Sequence, residues 1–260
     1  MINGVNRLLS LAAGTMTEFT PADTIRAAAD AGFGAAGIWF DPDSWTPSRA
    51  DEIRRRLDDT GLVALDVEPV MLSPAGDHGE ALIDAAIALG ARYVLVASLD
   101  DDHHRVAARL ARLADCLGTA PPRLVLEFLP SLGVRTLSDA VSIVRAVARP
   151  EVGVLIDNLH LARSGGEPAE IAQHDPHLFP YLQICDATAE PSDPSRRGLL
   201  DEALHRRLLP GIGALPIDAC VHAVPDVPLS FEIRSNALRE HYPDATERAR
   251  AVWAATRRWW

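Results

Sequence analysis

Short apolar segments alternate with longer amphipathic stretches along the whole chain. Eight such segments have the composition of buried strands, and they occupy residues 7–12, 35–40, 62–67, 92–97, 124–128, 152–156, 181–185 and 229–233. Their starts are about 30 residues apart, except for a longer final interval. Strands that alternate with helical stretches are typical of repeated strand-helix units around a parallel sheet.

The stretches between the strands carry helix boundary signals. A threonine cap followed by a proline opens two of them, at Thr20 and Thr46. Gly32, Gly61 and Gly90 stand just before the next strand, where a glycine commonly ends a helix. Eight strand-helix units predict a (β/α)8 TIM barrel.

A doubly wound sheet would also alternate strands and helices, but it usually has a glycine-rich phosphate turn after its first strand. Here that turn is Ala12-Ala13-Gly14-Thr15, which lacks the GxGxxG spacing. The sequence also shows no linker, low-complexity tract or break in composition. We therefore predict one barrel domain over residues 1–260.

Composition limits the surroundings and partners of the chain. With 260 residues, 48% hydrophobic and 23% charged, it can bury a large core. The apolar run at residues 8–13 is too short for a membrane span, and the three cysteines form no CxxC pair, so we expect a cytoplasmic protein without a membrane partner. A formal net charge of -11 disfavours nucleic acid as a partner.

The chain has no lysine, because all 25 basic residues are arginines. Arginine forms no Schiff base and is not a general base at neutral pH. Lysine aldolases, pyridoxal-phosphate enzymes and P-loop NTPases are therefore excluded.

Polar side chains end four of the later strands, namely Glu127, Asp157, Gln183 and Glu232. Catalytic groups of (β/α)8 barrels lie at these carboxyl ends. Each residue shares its strand face with the residue two positions earlier, so the four converge if those faces point into the barrel. Three converging carboxylates repel one another unless a divalent cation lies between them. The alternative is that each acidic residue caps a helix or faces water in a loop.

The segments LVLEFLP, VGVLIDNLHLARSGG, YLQICDA, RLLPGIGALPID and LSFEI resemble the xylose isomerase-like TIM barrels. That family includes sugar phosphate isomerases and epimerases, inosose dehydratases and hydroxypyruvate isomerases, and the resemblance spans nearly the whole chain. It implies that Glu127, Asp157 and Glu232 bind a metal. Gln183 stands where the family has a histidine, which implies an amide oxygen as the fourth ligand.

The glutamine changes the metal that we expect. An all-oxygen set of protein ligands favours Mn²⁺ first, with Mg²⁺ or Co²⁺ as alternatives, and disfavours Zn²⁺. Asp186 has the opposite strand parity from Gln183, which predicts a structural role in the following loop. His160 follows Asp157 by three residues, and the resemblance implies that it contacts substrate oxygen.

The resemblance also implies a reaction. In the family's epimerases two glutamates exchange a proton across the substrate through an enediolate, which assigns acid/base catalysis to Glu127 and Glu232. The predicted function is a metal-dependent isomerase or epimerase acting on a sugar or a related polyhydroxy ketone. A dehydratase or lyase that expels a β-hydroxyl, and a barrel that binds a ligand without turnover, are the alternatives. The related endonucleases need several histidines, which the chain does not supply at the required places.

Four further residues are candidates for substrate binding. Arg207 and Arg234 could hold an anionic group of the substrate, although surface ion pairing explains either residue equally well. Glu68 and Trp39 end the third and second strands, where they would line the pocket.

Tryptophans are concentrated at the end of the chain, at Trp253, Trp259 and Trp260. Such an aromatic surface packs under the barrel or contacts a second subunit in a homo-oligomer. The sequence leaves both interpretations open.

Overall fold

Eight parallel strands close into a barrel in the computed structural model, which describes residues 7–256 and 259. The strands are β1 (Leu9–Leu11), β2 (Ala35–Trp39), β3 (Val63–Leu72), β4 (Tyr93–Ser98), β5 (Arg123–Glu127), β6 (Val152–Asp157), β7 (Leu182–Ile184) and β8 (Leu229–Phe231). Each strand pairs with the next along the chain, and β8 pairs with β1. The predicted (β/α)8 TIM barrel and all eight strand positions are confirmed.

Helices follow every strand. They are α1 (Pro21–Ala31), α2 (Pro47–Thr60), α3 (Gly79–Leu89), α4 (His103–Leu117), α5 (Leu137–Val147), α6 (Asn158–Arg163), α7 (Pro168–Ile171), α8 (Arg196–His205), α9 (Ile217–Ala223), α10 (Asn236–His241) and α11 (Ala245–Ala255). The predicted caps are confirmed, since the Thr20 hydroxyl accepts the Asp23 N–H and the Thr46 hydroxyl accepts the Arg49 N–H. The long final interval of the sequence contains α8 and α9, which lie between β7 and β8.

The barrel interior contains one apolar layer below the strand ends. Its members are Ala35, Leu65, Leu95, Val125, Leu155 and Tyr181. Burying one of the leucine or valine side chains of this layer contributes roughly 1.5–3 kcal/mol relative to its exposure to water. Val125, Leu155 and Tyr181 stand two residues before Glu127, Asp157 and Gln183. Strand alternation therefore directs those three polar groups into the barrel, one layer higher.

Strand β3 is longer than predicted. The apolar segment predicted from the sequence ends at Val67. The strand instead continues to Leu72, and its pairing register with β4 shifts between Val67 and Val70. The irregularity accommodates the proline, so Glu68 lies within the strand and not at its end.

The chain's end packs against the barrel. The Trp253 ring meets Phe33 edge to face at 4.9 Å, and the buried Trp259 ring lies 6.0 Å from Phe231. These contacts bear out packing against the barrel for two of the three tryptophans, while Trp260 lies outside the described residues. Among the described residues, no helix has the length and apolar character to cross a membrane.

Candidate active site

The strand-end residues predicted from the sequence meet on one rim of the barrel. Glu127 ends β5, and Asp157 ends β6. Asp157 pairs in register with Gln183 on β7, which in turn pairs with Ser230 on β8, two residues before Glu232. All four side chains are buried. The structure therefore brings the four predicted groups to adjacent strand ends.

Asp157 also begins the next helix. Its Oδ1 accepts the N–H groups of Leu159 at 2.7 Å and His160 at 3.3 Å, which caps α6. This cap orients both the carboxylate and the histidine, because the two residues belong to one helical turn.

Arg207 places a guanidinium between two of the carboxylates. Its Nη1 donates to Asp157 Oδ2, while its Nη2 lies 3.1 Å from Glu232 Oε2. Its Nε donates to the carbonyl of Ala203 at 2.8 Å. Burial opposes the charge of Arg207, but the charges of Asp157 and Glu232 raise its pKa well above the usual value. Arg207 is therefore a permanent cation in the site.

The same ion pair determines the protonation of Asp157. Burial alone would raise the pKa of this carboxyl group, but the charge of Arg207, followed by His160 and the hydrogen bonds, lowers it overall. Asp157 is therefore a carboxylate at neutral pH.

In the described part of the chain, no guanidinium forms an ion pair with Glu127. Burial first, and then repulsion from Glu232 and Asp157, raise its pKa well above the usual value. Its nearest basic neighbour is His160, whose Nε2 lies 3.7 Å from Glu127 Oε1. Without a bound cation, Glu127 therefore binds a proton more readily than an ordinary glutamate.

His160 is neutral in this setting. Burial, and the positive charge of Arg207, lower its pKa to about 4. Its Nε2 lies 3.4 Å from Nη2 of Arg207. Because a guanidinium only donates, Nε2 is the acceptor, and the proton of the neutral ring is assigned to Nδ1.

Part of the predicted donor set lies close enough together to share a divalent cation, with His160 and not Glu232 as the third member of the group. Ligand atoms of Glu127, Asp157 and His160 lie within 4.8 Å of one another. Gln183 is fully buried, and its Oε1 and Nε2 find no hydrogen-bond partner among the described residues. A buried amide without partners is costly, so a ligand for its oxygen would stabilise the site.

Asp186 organises the loop that carries Arg207. Its Oδ2 accepts the N–H groups of Gly211 and Gly213, both at 2.9 Å, and its Oδ1 accepts that of Leu215 at 3.0 Å. The structural role predicted for Asp186 is thus borne out. The strand parity of Asp186 predicts its structural role. It does not predict which backbone groups of the loop Asp186 binds.

Gly14 makes room for Glu232. A Cβ built at Gly14 would lie 2.1 Å from Glu232 Oε1, so any side chain would displace the glutamate. The Gly14 N–H also donates to Glu68 Oε1 at 3.0 Å. Burial, then repulsion from Asp66, Glu232 and Glu127, raise the pKa of Glu68 well above its usual value. No local pattern in the sequence reveals this function of Gly14, because Glu232 is more than 200 residues away along the chain.

One cavity of about 270 Å³ connects most of the predicted site. It is lined by Trp39, Glu68, Glu127, His160, Arg207, Glu232 and Arg234, together with apolar residues. Asp157 and Gln183 are fully buried and are not among its lining residues. The Arg234 guanidinium stacks over the Trp39 ring, 5.5 Å from its centroid. Seven of the nine site residues predicted from the sequence thus line a single cavity.

Comparison with known proteins shows the same fold. Inosose isomerase of Bacillus subtilis (strain 168) is 25% identical over 171 residues, which cover 62% of this chain and only 59% of that relative. The crystal structure of IOLI protein with a bound zinc atom has a TM-score of 0.81 at 20% identity, covering 95% of this chain and 96% of the other. The structure of the probable 3-DHS dehydratase AsbF from Bacillus anthracis has a TM-score of 0.74 at 15% identity, covering 96% and 98%.

The family model described as xylose isomerase-like TIM barrel matches residues 25–258. The match covers most of the chain, including every strand from β2 onward and all residues of the rim except Gly14. The chain belongs to the xylose isomerase-like TIM barrel family.

Proposed function

We propose that the chain is a divalent-metal-dependent isomerase or epimerase that removes a proton from the carbon next to the carbonyl of a hydroxy-ketone and returns a proton to the neighbouring carbon or to the other face of the same carbon. The observation that carries the proposal is the pair Glu127 and Glu232, which line one cavity from different strands. The name of the curated relative, inosose isomerase, supports an isomerase. The relative is longer than the matched stretch, so its activity is part of this proposal.

The two glutamates share the acid/base work. Burial, and repulsion from Glu232 and Asp157, raise the pKa of Glu127 when no cation is bound, which makes this side chain a stronger base than an ordinary glutamate. Glu232 is fixed by Arg207 at 3.1 Å and by the space that Gly14 leaves. A substrate between them would lose a proton to one carboxyl group and regain a proton from the other.

Four residues would hold the cation, namely Glu127, Asp157, Gln183 and Glu232. A bound divalent cation polarises a carbonyl and acidifies the adjacent C–H. The oxygen-rich donor set favours Mn²⁺. His160 is a neutral ring near Glu127 and would form a hydrogen bond with a substrate oxygen. Arg234 would bind a second substrate oxygen through its Nε, which is buried and finds no hydrogen-bond partner among the described residues.

Proton exchange tests the proposal directly. Protein supplied with Mn²⁺ is incubated with a panel of hydroxy-ketones in deuterated water, and deuterium next to the carbonyl is followed by NMR. We expect exchange that is lost in Glu127→Gln and in Glu232→Gln. The exposed Glu240→Gln is the matched control and should exchange like the parent chain. Absence of exchange over the whole panel would contradict the proposal and leave a barrel that binds without turnover.

A dehydratase is the second candidate. The structural similarity to a probable 3-DHS dehydratase favours it, because the same proton abstraction followed by loss of a β-hydroxyl releases water. In the exchange experiment, a dehydratase would yield an unsaturated product instead of a deuterated starting ketone.

The surroundings of the protein also stay predictions. We expect a cytoplasmic protein that consists of one domain, binds a small molecule and does not bind nucleic acid. A homo-oligomer would appear as a multiple of 28.1 kDa in light scattering.

A further inference from the structure

The wall of the cavity is apolar above the rim of charged groups. Eleven of its seventeen lining residues are apolar, so most of a bound ligand would contact hydrocarbon. Five of the eleven are leucines that lie beyond the barrel interior, namely Leu99, Leu129, Leu132, Leu200 and Leu204. The other six lining residues are the acidic, basic and histidine side chains of the rim, and none of them carries a hydroxyl or an amide.

Helix α8 forms one side of this wall and is firmly held. Leu200 and Leu204 are four positions apart, so they share one helix face. Arg163 binds Glu202 of this helix through two hydrogen bonds of 2.7 and 2.8 Å, and both side chains are nearly inaccessible. Arg196 donates to the carbonyl of Leu132 at 3.0 Å. The apolar face of α8 is thus fixed over the rim by polar contacts on its other sides.

A polyhydroxylated ligand does not suit this wall. Each hydroxyl group that leaves water without a hydrogen-bond partner opposes binding, and the five leucines above the rim offer no partner. An alkyl or ring surface gains from the same contacts. Leu99 also leaves 55% of its surface exposed beside the cavity, where an apolar ligand would cover it.

We propose that the substrate of this site has two adjacent oxygens at one end and an apolar alkyl or ring body at the other. The oxygen-bearing end rests on the proposed function, while the apolar body rests on the lining alone. A cavity of about 270 Å³ limits the ligand to a small molecule. The chain would then act on an apolar hydroxy-ketone and not on the polyhydroxy ketone that the sequence resemblance implies.

Two four-carbon ketones that do not close into rings test the proposal. 1-Hydroxybutan-2-one and erythrulose share the 1-hydroxy-2-ketone end, and erythrulose has two additional hydroxyls on the remaining carbons. Calorimetric titration in the presence of Mn²⁺ should show at least about tenfold tighter binding of 1-hydroxybutan-2-one, because its tail is buried against leucines. 1-Hydroxyhexan-2-one should bind more tightly still. Equal or tighter binding of erythrulose, or no binding of the alkyl ketones, would overturn the proposal.

Variants of α8 test whether the leucines cause the preference. Leu200→Asn and Leu204→Asn should each reduce the preference for the alkyl ketone by at least about fivefold, since each replaces apolar wall with an amide. Ile87→Asn, at an exposed position of α3, is the matched control and should leave the preference unchanged. An unchanged preference in both α8 variants counts against the proposal.

The affinity ratio does not depend on turnover. If the alkyl ketone binds more tightly but no deuterium is exchanged, the proposed function fails while the apolar substrate class stands. If deuterium is exchanged readily but erythrulose binds more tightly, the apolar substrate class fails while the proposed function stands.

Discussion

Arg207 and Asp157 form an ion pair that is sealed from solvent at the rim of the barrel, with 3% and 0% of their side chains exposed. The guanidinium thus occupies part of the space in which the sequence predicts a shared cation. A buried carboxylate that loses its partner keeps the full cost of desolvation.

We therefore expect Arg207→Met to lower the free energy of unfolding by roughly 3–5 kcal/mol in the absence of divalent cations. Chemical denaturation measures the loss. Arg206→Met is the matched control, because the adjacent Arg206 is exposed and pairs with the exposed Asp201, which is worth at most about 1 kcal/mol. Similar losses in the two variants would show that the Arg207 pair does not stabilise the fold. Added Mn²⁺ should recover more stability in Arg207→Met than in Arg206→Met, because the cation then compensates Asp157.

The contact between Gly14 and Glu232 gives a prediction about catalysis. Gly14→Ala would place a methyl group 2.1 Å from the present position of Glu232 Oε1, so the carboxylate must move. A displacement of about 1 Å at a reacting group costs on the order of 100-fold in rate. We expect a loss of that order in deuterium exchange. Gly34→Ala is the control, because the atom nearest its added Cβ is a methyl group of Leu8, a flexible side chain.

The buried carboxyl group of Asp66 makes the stability of the fold depend on pH. This carboxyl group is fully buried and accepts the Tyr181 hydroxyl at 2.6 Å. Burial raises its pKa to about 6, against the partial opposition of the Tyr181 hydrogen bond. The folded state therefore binds a proton more tightly than the unfolded chain, and stability is lost as pH rises from about 4 to about 6.

Asp66→Asn should remove the part of this dependence that comes from Asp66. In metal-free protein, we expect the stability difference between pH 4 and pH 7 to shrink by on the order of 3 kcal/mol, measured by denaturation at a series of pH values. Asp58→Asn, at an exposed position of α2, should leave the profile nearly unchanged. A profile for Asp66→Asn that matches the parent chain would show that Asp66 does not titrate in this range.

Local patterns predicted most of the fold. Apolar runs, threonine caps and helix-ending glycines act over a few residues, so the eight strands and the start of α1 could be inferred without tertiary contacts. The end of β3 could not, because Pro69 is tolerated only through a register shift against β4 that depends on the neighbouring strand.

The site was predictable where it depends on strand ends and unpredictable where it depends on loops. Glu127 and Asp157 follow from strand parity, whereas the pairing of Arg207 with Asp157 joins residues 50 positions apart. Beside Arg207, Leu208 forms an antiparallel bridge with Asp186, a contact between residues 22 positions apart. The leucines of α8 likewise line the cavity on a helix that the Arg163–Glu202 ion pair holds in place. No periodic pattern in the sequence reveals that pair.

Gln183 should determine which metal the site prefers. Its amide oxygen is fully buried at the rim, in register with Asp157. An imidazole nitrogen in that place favours Zn²⁺ more strongly than Mn²⁺, because nitrogen is the softer donor. We expect Gln183→His to raise the ratio of Zn²⁺ to Mn²⁺ affinity by at least about tenfold, measured by calorimetric titration of protein stripped with a chelator. Gln173→His adds the same side chain at an exposed position after α7 and should leave the ratio unchanged. If the ratio also stays constant in Gln183→His, residue 183 is not a ligand, and the cation is held by the carboxylates and His160 alone.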